Sequence, residues 1–252
     1  MSDKWQAPKN ESNRVPEFVV YSLLKSSTVT IRETYCQGSC RHQSAEEWTA
    51  TTQLVFPYRG VYVRHLGNDQ TVAEANQVLF FNAAEGYQVS HPVTGGDASL
   101  TLVISEPQLR ELAPSGLLRG GATVKFRSQR LRIDARAQAL VALLRHSLRH
   151  KLAEPLEAES LALTLVQRAL GPRIAHAAGA SAGQQRLVNR IKLVLASDPA
   201  RRWTLAEIAA EVRGSPVYLA QVFQKVEGVP LYRYQLGFVW RERWTLSLSM
   251  TT

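Results

Sequence analysis

The 252-residue sequence predicts an α+β protein in which a β-barrel, a helical connector and a C-terminal pair of helices follow one another along the chain. Short runs of alternating or β-branched residues fill residues 17–110, a spacing typical of strands. Apolar residues recur every three or four positions in 111–174 and again in 184–244, as they do in amphipathic helices. These two changes of period set the predicted boundaries.

The predicted strands of 17–110 are separated by turn residues such as Gly60, Gly86 and Gly95-Gly96-Asp97. Their sequences are VTIRETY, TTQLVF, GVYVRHL, QVLFFN, YQVSH and SLTLVIS. Short antiparallel strands joined in this way form small barrels or jelly rolls. Because barrels of this size often enclose a cavity, we expect this module to hold a small molecule, whose identity the sequence does not give.

Residues 111–174 are expected to be a helical connector. Asp134 can cap a helix, and EAESLALTLVQRAL predicts a second helix that Gly171-Pro172 ends. The apolar side of the first helix is formed by Ala137, Val141, Leu144 and Leu148. The two helices need a surface to cover, which can be the barrel, each other or a second subunit.

The stretch Thr204–Val226 predicts two short helices. Thr204 and Glu207 have the spacing of a capping box, so the first helix begins there. Gly214 interrupts the pattern, and Ser215-Pro216 begins the second helix as N-cap and first helical residue. In each helix the apolar residues form one stripe, so the two stripes can face each other. The outer side of the second helix is then available to a groove of DNA.

The run RIKLVLASDPARRWTLAEIAAEVRGSPVYLAQVFQKVEGVPLYRYQ resembles the first helix-turn-helix of the AraC family of bacterial transcription regulators. The order of modules is similar to that family too: an N-terminal cupin-like β-barrel, a helical connector that often mediates dimerisation, and a C-terminal all-α helix-turn-helix domain. The resemblance implies a regulator without enzymatic activity that senses a small effector through its barrel and contacts promoter DNA.

One departure from the family concerns the C-terminus. Family members usually carry two helix-turn-helix units joined by a long helix, which would correspond to 231–244. The final TLSLSMTT contains no second capping box, turn glycine or apolar stripe. We therefore expect 184–244 to be an incomplete DNA-binding domain, truncated before the second unit and followed by a tail at 245–252. Because each phosphate contact adds to DNA affinity, a monomer should bind DNA weakly. DNA binding should therefore depend on the pairing of two copies of the chain.

The resemblance maps the outer face of the second helix onto residues that approach bases or phosphates. Gln221 can pair bidentately with adenine, and Lys225 suits guanine or phosphate. Arg201, Arg202 and Arg213 are expected to contact the DNA backbone. The alternative is an ordinary solvated helix face. The full predicted set is Arg201, Arg202, Arg213, Ser215, Val217, Tyr218, Gln221, Gln224 and Lys225.

Charge and composition favour the same partner. The formal net charge is +9 with a pI of about 9.8, and residues 184–244 contain ten Lys and Arg against five Asp and Glu. Such a balance favours a polyanion. Residues 1–16 read as a polar leader without an apolar signal core, and 175–183 as a linker rich in small residues. We expect a cytoplasmic protein that does not bind membranes, with double-stranded DNA, an unidentified effector and a second copy of the chain as candidate partners.

Cysteine and histidine residues of the barrel raise the alternative of metal chemistry. Cys36-x3-Cys40-x-His42, with His65 and His91, supplies ligands that zinc accepts. The His-x-His pair with a nearby Glu of enzyme-type cupins is absent, so we expect structural roles, with no metal, cofactor or catalytic residue. The alternatives are a cupin-type metal-dependent enzyme or small-molecule binder, and a truncated regulator that dimerises without binding DNA. The candidate effector pocket comprises Tyr62, Arg64, Tyr87 and His91.

Overall fold

Two antiparallel sheets form the N-terminal part of the computed structural model, which describes residues 18–38, 41–171 and 180–237. The larger sheet has the strand order β1-β2-β8-β3-β6-β11 and the smaller sheet the order β5-β4-β7, while β9 and β10 pair separately. The strands are β1 (Phe18–Lys25), β2 (Val29–Cys36), β3 (Gln53–Arg59), β4 (Tyr62–Leu66), β5 (Asp69–Ala73), β6 (Gln77–Phe81), β7 (Gln88–Ser90), β8 (Asp97–Ile104), β9 (Leu118–Arg119), β10 (Lys125–Phe126) and β11 (Arg130–Arg132).

A small apolar core connects the two sheets. Val55 and Leu79 of the larger sheet pack with Tyr62 and Ala73 of the smaller sheet. Because side chains alternate along a strand, Leu54 and Phe80 lie on the opposite face of the larger sheet. The larger sheet is therefore covered on both faces.

The helices divide between the two outer faces of the sheets. They are α1 (Glu106–Leu112), α2 (Ala135–Arg149), α3 (Pro155–Leu170), α4 (Ala182–Ser197), α5 (Leu205–Val212) and α6 (Pro216–Glu227), with a 3-10 turn at Ser115–Leu117 and a further helical stretch at 231–237. Helices α1, α2 and α3 pack on the larger sheet, and α4, α5 and α6 form a core with Val63 and Val72 of the smaller sheet. The predicted α+β class and sheet-rich N-terminal part are confirmed.

The segment predicted as a helical connector is helical only in its later part. Residues 118–132 contain the short strands β9, β10 and β11, and β11 joins the larger sheet beside β6. Strands of two or three residues are too short to show a period in the sequence. Strand β11 pairs with β6, about 50 residues earlier in the chain, so a tertiary contact decides its conformation, while β9 and β10 pair with each other.

Helix α2 begins at the predicted cap and is tied to the sheet by buried charge. The Ala137 amide donates to the Asp134 carboxylate at 2.8 Å. Near the other end, Arg149 Nε lies 2.9 Å from Glu33 of β2, a fully buried carboxylate that also accepts from the Tyr58 hydroxyl at 2.6 Å. Since a buried carboxylate needs such partners, the pairing fixes how α2 sits on the sheet.

Several predicted features lie outside the described residues: the leader at 1–16, Cys40, residues 175–179 of the linker, residues 238–244 and the tail at 245–252. The last residues of the predicted linker belong to α4, because Ser181 and Gln184 form a capping box that starts this helix. Among the described helices, none has the length and apolar content that crossing a membrane requires.

Candidate functional site

Helices α5 and α6, called here the helix pair, begin where their caps predict. The Thr204 hydroxyl accepts from the Glu207 amide, and the Glu207 carboxylate accepts from the Thr204 amide at 2.7 Å. The Thr204 hydroxyl also donates to the Glu207 carboxylate at 2.7 Å, and this bond, with the one from the Thr204 amide and the contact with Arg201, lowers the pKa of Glu207 to about 2. Ser215 is the N-cap of α6, but its side chain makes no capping hydrogen bond, so Pro216 carries the start of that helix.

The turn between the two helices depends on an arginine and not, as the sequence suggested, on the glycine. Arg213 adopts the left-handed conformation with φ 53°, while the amides of Arg213 and Gly214 bond back to the carbonyls of Ala210 and Ala209. This is a Schellman motif. Gly214 is required for packing, because a Cβ there would lie 3.2 Å from the Leu219 side chain.

Arg213→Gly is expected to raise the free energy of unfolding by about 0.5–1 kcal/mol. Glycine adopts the left-handed conformation without the steric strain of a side chain, and this gain exceeds the cost of the larger conformational entropy that glycine gives the unfolded chain. Gly214→Ala is expected to lower it, because the added Cβ crowds Leu219. Urea unfolding of both variants checks the assignment. A stability loss in Arg213→Gly would contradict it.

Helix α6 has one buried face and one exposed face. Leu219, Val222 and Phe223 are buried in the core of the helix pair, while Val217 and Tyr218 are exposed. All the predicted DNA-contacting residues are exposed to solvent. Two of them have partners: Arg201 Nη2 lies 2.7 Å from Glu207, and Lys225 Nζ donates to Gln184 at 3.3 Å.

A buried charge network, called here the Lys192 network, joins the helix pair to the sheets. Lys192 of α4, 1% exposed, places Nζ 2.5 Å from Glu74, which follows β5, and 2.7 Å from Glu227 of α6. Tyr234 donates its hydroxyl to Glu74, and Arg132 of β11 lies 3.5 Å from Glu227.

The Lys192 network holds Glu227 ionised. Burial raises the pKa of Glu227, but the nearby charges of Lys192, Arg130 and Arg132 lower it by more than burial raises it. The pKa therefore lies below its usual value. Sequence reasoning did not single out Lys192. The available signal was a lysine on the apolar stripe of α4, four residues after Val188 and three before Leu195.

The candidate effector residues lie close to one another around the core between the sheets. Tyr62 and Arg64 point inward from β4, an orientation that the sequence left open. Arg64 stacks over Phe81 at 4.1 Å and lies 5.7 Å from the ring of Tyr87. The ring of His91 is 6.2 Å from that of Tyr62. Burial raises the pKa values of both tyrosines, which keeps them neutral.

Arg64 is a fully buried cation with incomplete hydrogen bonding. Its Nη1 donates to the Phe80 carbonyl at 2.7 Å, and Glu85 is 4.0 Å from Nη2. Nε and Nη2 are buried without a hydrogen-bond partner among the described residues. Burial lowers the pKa of Arg64, but an arginine remains charged at neutral pH. A buried cation with two nitrogen donors that lack hydrogen-bond partners can bind an anion.

The cysteine and histidine residues only partly come together. The Nε2 of His91 lies 2.7 Å from Asp97, and Cys36 completes a cluster whose potential ligand atoms all lie within 4.8 Å of one another. Burial lowers the pKa of His91, but the neighbouring Asp97 and Cys36 raise it to about 10. His65 bonds instead to Ser90 at 2.8 Å, and His42 is exposed. Asp97 was missed because it was assigned to a turn.

A groove of about 510 Å³ lies between the smaller sheet and α4. Val63 and Val72 line its sheet side, and Arg186, Asn189 and Arg190 line its helix side. Asn189 bridges the two elements by donating to the Gln70 carbonyl at 2.8 Å. The groove therefore lies beside the contact between α4 and the smaller sheet, near the Lys192 network.

No known family model and no curated protein matches this sequence. Among solved structures, an apo ToxT variant from Vibrio cholerae strain SCE256 covers 89% of this chain and 83% of its own at 11% identity, with a TM-score of 0.41. A cupin superfamily protein from Desulfitobacterium hafniense DCB-2 covers 38% and 82% at 16% identity and a TM-score of 0.30. The Cupin_2 domain of an XRE family transcriptional regulator from Enterobacter cloacae covers 36% and 98% at 10% identity and 0.31. Similarities at these TM-scores do not establish a family for this chain.

Proposed function

We propose that this chain is a DNA-binding transcription regulator of the AraC type and not an enzyme. A cupin-like module at 17–110 senses a small effector, 111–174 connects and pairs two copies, and 184–244 contacts promoter DNA through one helix-turn-helix. The observation that carries the proposal is α6, which buries Leu219, Val222 and Phe223 and exposes Gln221, Gln224 and Lys225 on its outer face.

The dimensions of α6 suit a major groove. Its 12 residues give a length of about 18 Å. The major groove, about 12 Å wide, admits a helix of this kind. Gln221 and Lys225 are four residues apart, so they lie on one face of the helix and can reach neighbouring base pairs. Arg202 precedes α5 and Arg213 lies in the turn between α5 and α6, and both are exposed and can contact phosphates.

The effector proposed for this protein is a small carboxylate or similar anion bound at Arg64. This choice rests on the two buried guanidinium nitrogens without hydrogen-bond partners among the described residues. Phe81 and Tyr87 beside the guanidinium would contact the apolar part of such a ligand. Arg64 would supply charge-assisted hydrogen bonds.

Strand β4 offers a route from the effector to the helix pair. Arg64 points between the sheets, while the preceding Val63 packs against the core of α4, α5 and α6. A ligand that displaces β4 therefore moves the surface on which the helix pair rests. The Lys192 network, which joins the same elements, would resist or transmit that movement.

Pairing of two copies is proposed to occur through α2 and α3. Leu143, Leu152 and Leu156 on or between these helices are exposed at 49%, 65% and 76%. Covering such side chains in a second subunit would bury apolar surface. A dimer would place two copies of α6 on successive major grooves.

The test is selection of bound DNA from a random pool with the full chain, followed by binding of the selected duplex across a salt series. Gln221→Ala is expected to relax selectivity at one base position, by about 1–3 kcal/mol of discrimination. Lys225→Ala is expected to weaken binding to all sequences and to reduce the log–log salt slope by about 1.

Lys25→Ala is the matched control, because it removes the same kind of side chain from an exposed position at the end of β1, outside the proposed DNA-binding and pairing surfaces. It should leave both selectivity and slope unchanged. If Lys25→Ala and Lys225→Ala have equal effects, the binding is nonspecific charge attraction and the proposal is contradicted. Tight, sequence-selective binding by a dilute monomer, checked by sedimentation, would contradict the dependence on pairing.

A further inference from the structure

Cys36, His91 and Asp97 meet at one end of the β2–β8 ladder, where Cys36 and Asp97 are opposite each other in register. His91 is 6% exposed, and Asp97 is buried beside it. The Nδ1 of His91 is buried without a hydrogen-bond partner among the described residues. A thiol, an imidazole and a carboxylate thus converge, with one ring nitrogen unsatisfied.

The backbone around this cluster is held in place by close glycine contacts. A Cβ on Gly96 would lie 2.2 Å from the Cys36 carbonyl oxygen, and a Cβ on Gly38 would lie 2.8 Å from the Gly96 Cα. Both glycines have positive φ, 67° and 68°. The loop before Asp97 therefore packs directly on the end of β2, which sets the separation of the three side chains.

We propose that Cys36, His91 and Asp97 bind one thiophilic divalent cation of the zinc type. Thiolate sulfur, imidazole nitrogen and carboxylate oxygen are the three ligand atoms that zinc takes in proteins. Bonds of about 2.0–2.3 Å in a tetrahedral site set ligand atoms roughly 3.3–3.6 Å apart. The three atoms all lie within 4.8 Å of one another, so small side-chain movements reach that spacing, among them an opening of the 2.7 Å contact between His91 and Asp97.

The proposed site leaves a fourth position for water or another small ligand. It adjoins the candidate effector residues, because the Tyr62 ring, which shares the inward face of β4 with Arg64, lies 6.2 Å from the His91 ring. A cation here would therefore clamp β2 to β8 at one end of the module. The inference does not depend on DNA binding.

The experiment uses the full chain, stripped with a chelator and titrated with Zn²⁺ and with Co²⁺. One Zn²⁺ per chain is expected by elemental analysis after desalting, and bound Co²⁺ should show a thiolate-to-cobalt charge-transfer band. Cys36→Ser is expected to abolish the band, and His91→Gln and Asp97→Asn to weaken Zn²⁺ binding at least tenfold in competition with a chromophoric chelator.

His65→Gln is the matched control, because His65 is a buried histidine of the same module that bonds to Ser90 and Gln43. It should bind Zn²⁺ as the parent chain does. Circular dichroism of each variant separates loss of ligand from loss of fold, and the retained fold of Asp97→Asn gives a second measurement if Cys36→Ser is unstable. The assignment would be overturned if the cobalt band persists in Cys36→Ser, or if it is lost in Cys40→Ser and not in Cys36→Ser. It would also be overturned if His65→Gln weakens Zn²⁺ binding as much as His91→Gln does.

Discussion

Lys192→Met is expected to lower the free energy of unfolding by about 3–5 kcal/mol, because it leaves two buried carboxylates without their shared cation. Glu74 and Glu227 lie 2.5 and 2.7 Å from the lysine nitrogen, and both are at most 5% exposed. Urea unfolding at neutral pH measures the loss. Because the network joins α4 and α6 to the sheets, we also expect earlier release of the helix pair, visible as faster amide exchange in α5 and α6.

Arg201→Met is the control for this prediction, since it breaks an exposed ion pair with Glu207 and should lower the free energy of unfolding far less than Lys192→Met does. The triple variant Lys192→Met, Glu74→Gln, Glu227→Gln should recover part of the loss, because it removes the uncompensated charges as well. A loss no larger than that of Arg201→Met would refute the role given to the Lys192 network.

The pH dependence of the same effect has a defined sign. The pKa of Glu227 in the folded protein lies below its ordinary value of 4.5. Its stabilising contribution is therefore complete above that value and is lost as the pH falls toward the folded pKa. The difference between the parent chain and Lys192→Met should shrink as the pH drops below about 4.5.

Arg64→Met is expected to abolish carboxylate binding with little change in stability. Losing a charge-assisted contact to a buried anion costs about 2–5 kcal/mol of binding, or roughly 30- to 5,000-fold in affinity. In the free protein, the substitution removes the cost of burying a guanidinium with incomplete hydrogen bonding, and it also removes one hydrogen bond to the Phe80 carbonyl. These two effects on the free energy of unfolding have opposite signs and partly cancel. Benzoate and hexanoate are suitable probes for calorimetry and thermal shift.

Benzyl alcohol and hexanol serve as uncharged probe controls and should not bind to the parent chain. Arg119→Met is the matched protein control, because Arg119 contacts the same Glu85 at 3.1 Å from an exposed position. It should keep carboxylate binding. Carboxylate binding of equal strength in the parent chain and Arg64→Met would place the effector site elsewhere, with the groove beside α4 as the next surface to test.

Local chemistry made much of this structure predictable. The caps at Asp134 and at Thr204 with Glu207 act over three residues, and the structure places helix starts at both. The glycine that ends α6, Gly228, adopts a left-handed conformation, as helix-ending glycines commonly do. Alternating or β-branched runs likewise located β2, β3, β4, β6 and β8, because side-chain period indicates which faces are buried. The eight-residue strand β1 and the five-residue strand β5 were not among the predicted strands.

The turn between α5 and α6 shows where local reasoning stops. A glycine is the usual left-handed residue, so the sequence pointed to Gly214. The helix instead ends one residue earlier, and the packing of Leu219 occupies the space that a side chain at 214 would need. Propensity therefore located the turn correctly to within a residue, and the structure shows that Arg213 is the residue with the left-handed conformation.

The sequence by itself determined the α+β class, the β-rich first part and the capped, two-striped helix pair, because each follows from interactions between residues close along the chain. Only the tertiary structure decided that Arg64 points between the sheets, that Lys192 bridges Glu74 and Glu227, and that Asp97 joins Cys36 and His91. Those groupings arise from strand register and from helix-on-sheet packing across long sequence separations, and no local pattern of residue types records them.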